Sequence, residues 1–222
     1  AKNLGSGAPE VAVKKGAIAQ LEANQYSHAR GFTGGVPHDG ATPRVRFRAS
    51  EPITTYLFAF AAGPFAILDD REDGVAPQPE ARLLVRKSRL ARAQREAFET
   101  FRLHREAVYF FADYFAFPFP FPKHDLVLVP EFPYGGMEHA GATFLREEAV
   151  LFPFEPAAAD RLRRAQLVFH ETSHQWFGDL VTMRWFDDLW LKEGFANLMA
   201  AKAAEAITPE FSAWNAFHQL KA

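Results

Sequence analysis

His170, Glu171 and His174 form an H-E-x-x-H pattern. Residues four apart on an α-helix lie one turn above each other on the same face. Two imidazoles at that spacing reach one divalent ion from a single rigid rod. Glu171 follows the first histidine and projects beside the pair, where its carboxylate can hydrogen-bond a water at the ion. Zn²⁺ sites made of two histidines and a carboxylate keep a fourth position open for such a water. In a chain of this length chance produces the pattern on the order of one time in a hundred. The bland alternative is two neutral surface histidines beside a solvated glutamate, and the helical pattern around the motif weighs against it.

Two histidines leave such an ion short of a donor. Glu193 follows His174 after eighteen intervening residues and lies on the next predicted helix. A helix, a turn of several residues and a returning helix bring it round to face both imidazoles. The competing arrangement places Gly three and His six positions after the second histidine. Phe177 and Leu180 stand there instead, which excludes it.

The elements that must position these residues follow from pattern. Apolar spacing predicts helices over 161–178 and 187–206, the second followed by Pro209. A longer helix is predicted over 88–115, with Ser88 as its cap. Leu90, Ala93, Ala97, Phe98, Phe101, Val108, Phe111 and Phe115 recur along it near helical spacing and read as a core stripe. Pro118, Pro120 and Pro122 stop it. Strands are predicted over 82–86, 125–130 and 143–147. Residues 54–60 (TTYLFAF) are β-branched and aromatic and read as a buried strand ending at Gly63-Pro64. Short alternating stretches at 11–21 and 44–49 read as strands, 31–43 as a loop, and the polar segment 69–79 as a domain boundary.

Composition narrows the class. A formal net charge of −2 argues against a nucleic-acid partner, whose phosphates favour a basic surface. The chain has no cysteine, so disulfides, cysteine zinc ligands and thiol nucleophiles are excluded. No apolar run is long enough to span a bilayer. Phenylalanine accounts for 23 of 222 residues, so the chain must bury many rings or dock them on surfaces outside itself. The chain begins at Ala1 without Met or a signal-peptide pattern, and is expected to be a piece of something longer. Its compartment, cytoplasmic, periplasmic or secreted, is open. An oligomer, or contact with further domains, is expected.

The spacing His170-Glu171-x-x-His174, eighteen residues, then Glu193 resembles the gluzincin aminopeptidases, the aminopeptidase N and leukotriene-hydrolase family. Gln175-Trp-Phe-Gly-Asp-Leu-Val-Thr182 and Trp190-Leu-Lys-Glu-Gly-Phe-Ala196 match its surrounding blocks. Gly135-Gly136-Met137-Glu138 resembles its exopeptidase motif, usually Gly-x-Met-Glu-Asn. Tyr56-Leu-Phe-Ala-Phe60 with Gly63-Pro64-Phe65 resembles the end of its N-terminal β-domain. The resemblance runs from about residue 44 to 206.

That resemblance implies an α+β fold: the C-terminal part of an N-terminal β-domain over residues 1–67, then a thermolysin-like zinc lobe over 68–222. It implies one Zn²⁺ per chain on His170, His174 and Glu193. Glu171 is implied as the proton carrier. Glu138 is implied to hold the free α-ammonium of a peptide, with Gly135, Gly136 and Met137 aligning its backbone. Without the resemblance Glu138 is equally a surface carboxylate on a turn. Asp179 is either a partner of a ligand imidazole or a solvent-facing helix end. Lys192, Asp187 and Asp188 read as helix-terminus charges. His139 replaces the family's Asn, with a structural hydrogen bond the expected role. The family's oxyanion-stabilising tyrosine, downstream of the third ligand, has no counterpart, because the last tyrosine is Tyr134. Three readings follow: a zinc aminopeptidase acting on peptides with a free N-terminus, a zinc-binding but catalytically incompetent fragment or pseudoenzyme, and a scaffold turned to a non-peptide substrate such as an epoxide.

Overall fold

A computed structural model describes residues 52–70 and 79–211 with Ala213 and Trp214, and the backbone of three short strands before them. Those strands are β1 (Glu10–Ala12), β2 (Ile18–Gln20) and β3 (Arg44–Arg46); the last two lie inside stretches expected to be extended, and β1 begins one residue before one. β1 pairs antiparallel with β3, and β2 with β4 (Ala61–Gly63). The expected loop 31–43, and most of the expected boundary segment, lie outside the described residues.

The site is carried by a mixed five-stranded sheet and the helices on one of its faces. The strands are β5 (Phe65–Asp69), β6 (Arg82–Arg86), β7 (Asp125–Val129), β8 (Gly136–Met137) and β9 (Ala142–Arg146). Their order is β5-β6-β7-β9-β8. β6, β7 and β9 run parallel, and the edges β5 and β8 are antiparallel to their neighbours. The sequence explains the centre: β7 is a continuous apolar run after Asp125, as a parallel strand covered on both faces requires. Alternation then sorts side chains by face. Leu83, Val85, Leu126 and Leu128 pack with Phe101, while Leu84 and Val127 pack with Phe65 and Phe144. Position 67, where a domain division was expected, lies inside β5, which pairs with β6 over all its residues.

Residues 54–60 do not form the expected strand. Thr55–Leu57 is a single 3₁₀ turn, Leu57 is buried, and Phe58 and Phe60 are exposed. Composition suggests a strand, but among the described residues no strand pairs with this segment, and extended backbone needs a partner for its N–H and C=O groups.

The helices are α1 (Leu90–Tyr114), α2 (Glu147–Val150), α3 (Ala158–His174) and α4 (Leu189–Ile207). α1 connects the parallel strands β6 and β7 and packs on α3. Its buried face carries Ala93, Phe101, Leu103, His104, Ala107, Val108 and Phe111. Phe98 is an error in the expected stripe: it is 74% exposed. It stands five positions after buried Ala93, about 140° round the helix and so away from the buried face. Ala116, in the left-handed region at φ 50°, and then Pro118 end the helix. Phe111 of α1, Phe169 of α3 and Met199 of α4 meet in a second core, together with Trp176 just beyond α3. Each fully buried large side chain there stabilises the packing by about 1.5–3 kcal/mol. Arg164 of α3 also donates to Glu96 of α1 at 2.6 Å, so α3 is held at both ends. No helix among the described residues is long and apolar enough to cross a membrane.

Candidate metal centre

α3 ends at the second histidine, and the turn that follows shapes the site. Asp179 N–H donates to the His174 carbonyl at 3.1 Å, and Val181 N–H to Trp176 at 2.9 Å. Gly178 adopts φ +131°, and a Cβ there would stand 3.2 Å from His174 Nδ1. Glycine therefore both permits the backbone and leaves room for the ring. The turn aims the Phe177 carbonyl at His174 Nδ1, 2.8 Å away. A carbonyl only accepts, so the proton sits on Nδ1 and Nε2 keeps its lone pair.

That lone pair looks into a small cluster. His174 Nε2 and His170 Nε2 are 3.1 Å apart. α4 packs along α3 and brings Glu193 Oε2 to 3.4 Å from His170 Nε2 and 3.5 Å from His174 Nε2. Among the described residues, these three form the one group of His, Asp and Glu whose ligand atoms gather this closely. A proton on His170 Nε2 satisfies two of the three atoms; a divalent cation satisfies all three. Donors about 2.0–2.1 Å from a zinc in tetrahedral directions stand roughly 3.3 Å from one another. The observed separations suit that donor set. Burial lowers the pKa of His170 and favours the neutral ring that a metal needs. Burial opposes the charge on Glu193, but hydrogen bonds from His170, His174 and Lys192 outweigh it and hold its pKa well below the usual carboxylate range.

Glu171 projects from the same turn of α3 and is buried against β8. A Cβ on Gly136 would lie 2.6 Å from the Glu171 carboxyl carbon, so glycine at 136 makes the space that Glu171 fills. Among the described residues, Glu171 Oε2 has no hydrogen-bond partner. Burial, and then the charges of Glu138 and Glu193, push its pKa well above the usual range.

β8 forms the edge of the sheet, and Gly135 is held there by Arg146 N–H on its carbonyl at 2.8 Å. Beyond Met137 the chain turns inward and buries Glu138, 3% exposed, which is no surface carboxylate. Gln175 braces this turn by accepting from Gly141 N–H at 2.8 Å. His139 keeps a hydrogen bond, to the Leu57 carbonyl at 3.0 Å, and packs edge-on to Phe144. It thereby fastens the 55–57 turn beside the site.

Two expectations need correction. Lys192 is not a solvated helix-terminus charge: it is 6% exposed and ion-paired with both Glu138 and Glu193. Burial lowers its pKa, but the two carboxylates more than reverse that. Asp179 takes neither of its expected roles. The His174 imidazole is oriented by a carbonyl instead, and Asp179 is buried with neither carboxylate oxygen partnered among the described residues. Burial, then the charge of Glu138, raises its pKa well above the usual range. Tyr56 was passed over as a site residue. Its hydroxyl donates to the Gly178 carbonyl at 3.2 Å, and burial pushes its pKa up to about 12. No spacing rule links it to α3; only its place in the Tyr56–Phe60 resemblance marked it.

Proteins similar to this chain include named aminopeptidases. A leucyl aminopeptidase of Saccharolobus solfataricus is 35% identical over 171 residues, 77% of this chain and 21% of the relative. Aminopeptidase M1 of Arabidopsis thaliana is 36% identical over 177 residues, 78% of this chain and 19% of its own length. Human endoplasmic reticulum aminopeptidase 1 is 46% identical over 109 residues, 49% of this chain and 12% of its own length. The chain thus spans about a fifth or less of these curated relatives. The model of the peptidase family M1 domain matches residues 99–222, more than half of the chain and every residue of the cluster described above, and the chain therefore belongs to peptidase family M1.

Proposed function

We propose that this chain is the metal-binding part of a zinc-dependent aminopeptidase, a thermolysin-like lobe in which His170, His174 and Glu193 hold one Zn²⁺. The observation that carries this is the convergence of two imidazole nitrogens and one carboxylate oxygen with Glu171 beside them. The names of its relatives support the same reading. When bound, zinc supplies Lewis-acid polarisation of the scissile carbonyl and lowers the pKa of a water.

The chain's own residues do the rest. Glu171 takes a proton from the attacking water and passes it to the leaving amine. Glu138 binds the free α-ammonium of the peptide, which makes the enzyme an exopeptidase. The edge strand at Gly136 and Met137, with Gly135 before it, offers backbone groups to an extended peptide, and glycine permits close approach.

A second reading is a zinc-binding chain without turnover: Tyr56, beside the cluster, already gives its hydroxyl to the Gly178 carbonyl at 3.2 Å. The experiment is a zinc titration of the chain together with hydrolysis of aminoacyl anilides, free or N-acetylated. The aminopeptidase reading expects one zinc, cleavage of the free-amine substrate only, and a loss of about a hundredfold or more in Glu171→Gln at unchanged zinc content. Metal without cleavage selects the second reading. No metal, or full activity in Glu171→Gln, rejects the first.

A further inference from the structure

Lys192 has no task in the reaction just described, yet it is built into the centre. Its side chain runs past Tyr56, with Nζ 5.3 Å from the ring centroid. Its ammonium donates to Glu138 Oε1 and, at 2.5 Å, to Glu193 Oε1. A buried ammonium is costly unless paired. Two carboxylates and an aromatic face supply that pairing.

The arrangement divides the two oxygens of Glu193. Oε1 is taken by Lys192, while Oε2 is the atom that faces His170 and His174. A carboxylate with both oxygens free can turn both of them to one cation. One whose second oxygen is tied to an ammonium cannot do so without breaking that bond.

We propose that Lys192 is a positioning residue that joins Glu193 to Glu138 and makes Glu193 offer one oxygen, rather than two, to a metal shared with His170 and His174. The inference rests on the metal reading above. A single oxygen from Glu193 leaves a position at the metal for water or substrate, as catalytic zinc sites require. The same ammonium sets how tightly the metal is held, because it places a positive charge beside the cation. It also fixes the carboxylate assigned to the peptide's α-ammonium relative to the metal ligand.

The test replaces zinc by cobalt(II), whose visible absorption is intense in four-coordinate sites and weak in five- or six-coordinate ones. The chain, Lys192→Met and Lys192→Arg are compared, with zinc affinity measured by chelator competition and folding by thermal melting. In Lys192→Met the cobalt absorption is expected to fall several-fold, and zinc affinity to rise by about tenfold or more, as removal of a nearby positive charge implies. Lys192→Arg keeps a cationic donor and restores both towards the original values. If Lys192→Met fails to fold because Glu138 is left unpaired, the double variant Glu138→Gln/Lys192→Met removes both charges and is read in the same way. A spectrum and zinc affinity unchanged by loss of the ammonium overturn the inference while leaving the metal reading intact. A chain that takes up neither cobalt nor zinc overturns the metal reading, and this inference with it.

Discussion

Two pairs of histidines lie in this molecule, and they do different things with the same chemistry. His170 and His174 face each other at 3.1 Å across one turn of α3. His104 of α1 and His124, just before β7, face each other at 2.8 Å, and His124 Nε2 is also 2.8 Å from Thr143 Oγ1. His104, His124 and His174 are buried, and His170 is partly exposed. The first pair gains a carboxylate, Glu193, and the outward nitrogen of His174 is held by a carbonyl, so the His174 lone pair faces the point where His170 Nε2 and Glu193 Oε2 also meet. The second gains a hydroxyl, which can donate or accept, so protons alone satisfy the chain of hydrogen bonds. Burial first, with the charge of Arg105 adding to it, lowers the pKa of His104 to about 4, and burial holds His124 far below its ordinary value. A third partner decides whether a buried histidine pair becomes a cation site or a neutral strut.

That contrast can be broken most forcefully at the ligands. His174→Ala is expected to weaken zinc binding by well over about a hundredfold, since even the loss of an outer-shell partner costs 10–100-fold. His124→Ala should leave zinc affinity unchanged. Chelator competition on both variants checks this, and equal losses would erase the distinction between the pairs. Next in size is stability. His124→Ala strips partners from His104 and Thr143 and removes a ring stacked on Phe119. A loss of about 2–4 kcal/mol in urea unfolding is expected, from the cavity and the unpaired buried groups together. The smallest effect is on pH dependence. The folded state keeps His104 neutral down to about pH 4, whereas an unfolded histidine takes up its proton near 6.5. The unfolded state therefore binds more protons across that window, and stability falls as pH drops through it. The slope is about 1.4 kcal/mol per pH unit for one histidine. Melting curves between pH 4 and 7 of the chain and of His104→Gln test it, because the variant should lose that share of the slope.

Legibility followed distance along the chain. The His170 and His174 pair could be read directly, because the helix period alone places residues four apart on one face. Glu193 could be read from its spacing once a returning helix was assumed. The His104 and His124 pair left no pattern, being twenty residues apart on elements of different type. Lys192 was read as a helix-terminus charge because its local setting is one. Its partner Glu138 lies 54 residues earlier. Residues 54–60 were misread for the converse reason: β-branched and aromatic composition is a local signal, while strand formation depends on a neighbour to pair with.

By itself the sequence determined the rod that carries two imidazoles and a carboxylate, and the apolar runs of the central strands. Helix periodicity and apolar runs are properties of residues and their near neighbours. Only the tertiary structure decided that Glu138 is buried beside the histidine cluster, that Lys192 joins it to Glu193, and that a second histidine pair faces a threonine. Those outcomes depend on how helices and sheet pack, and packing brings together charges that no local pattern relates.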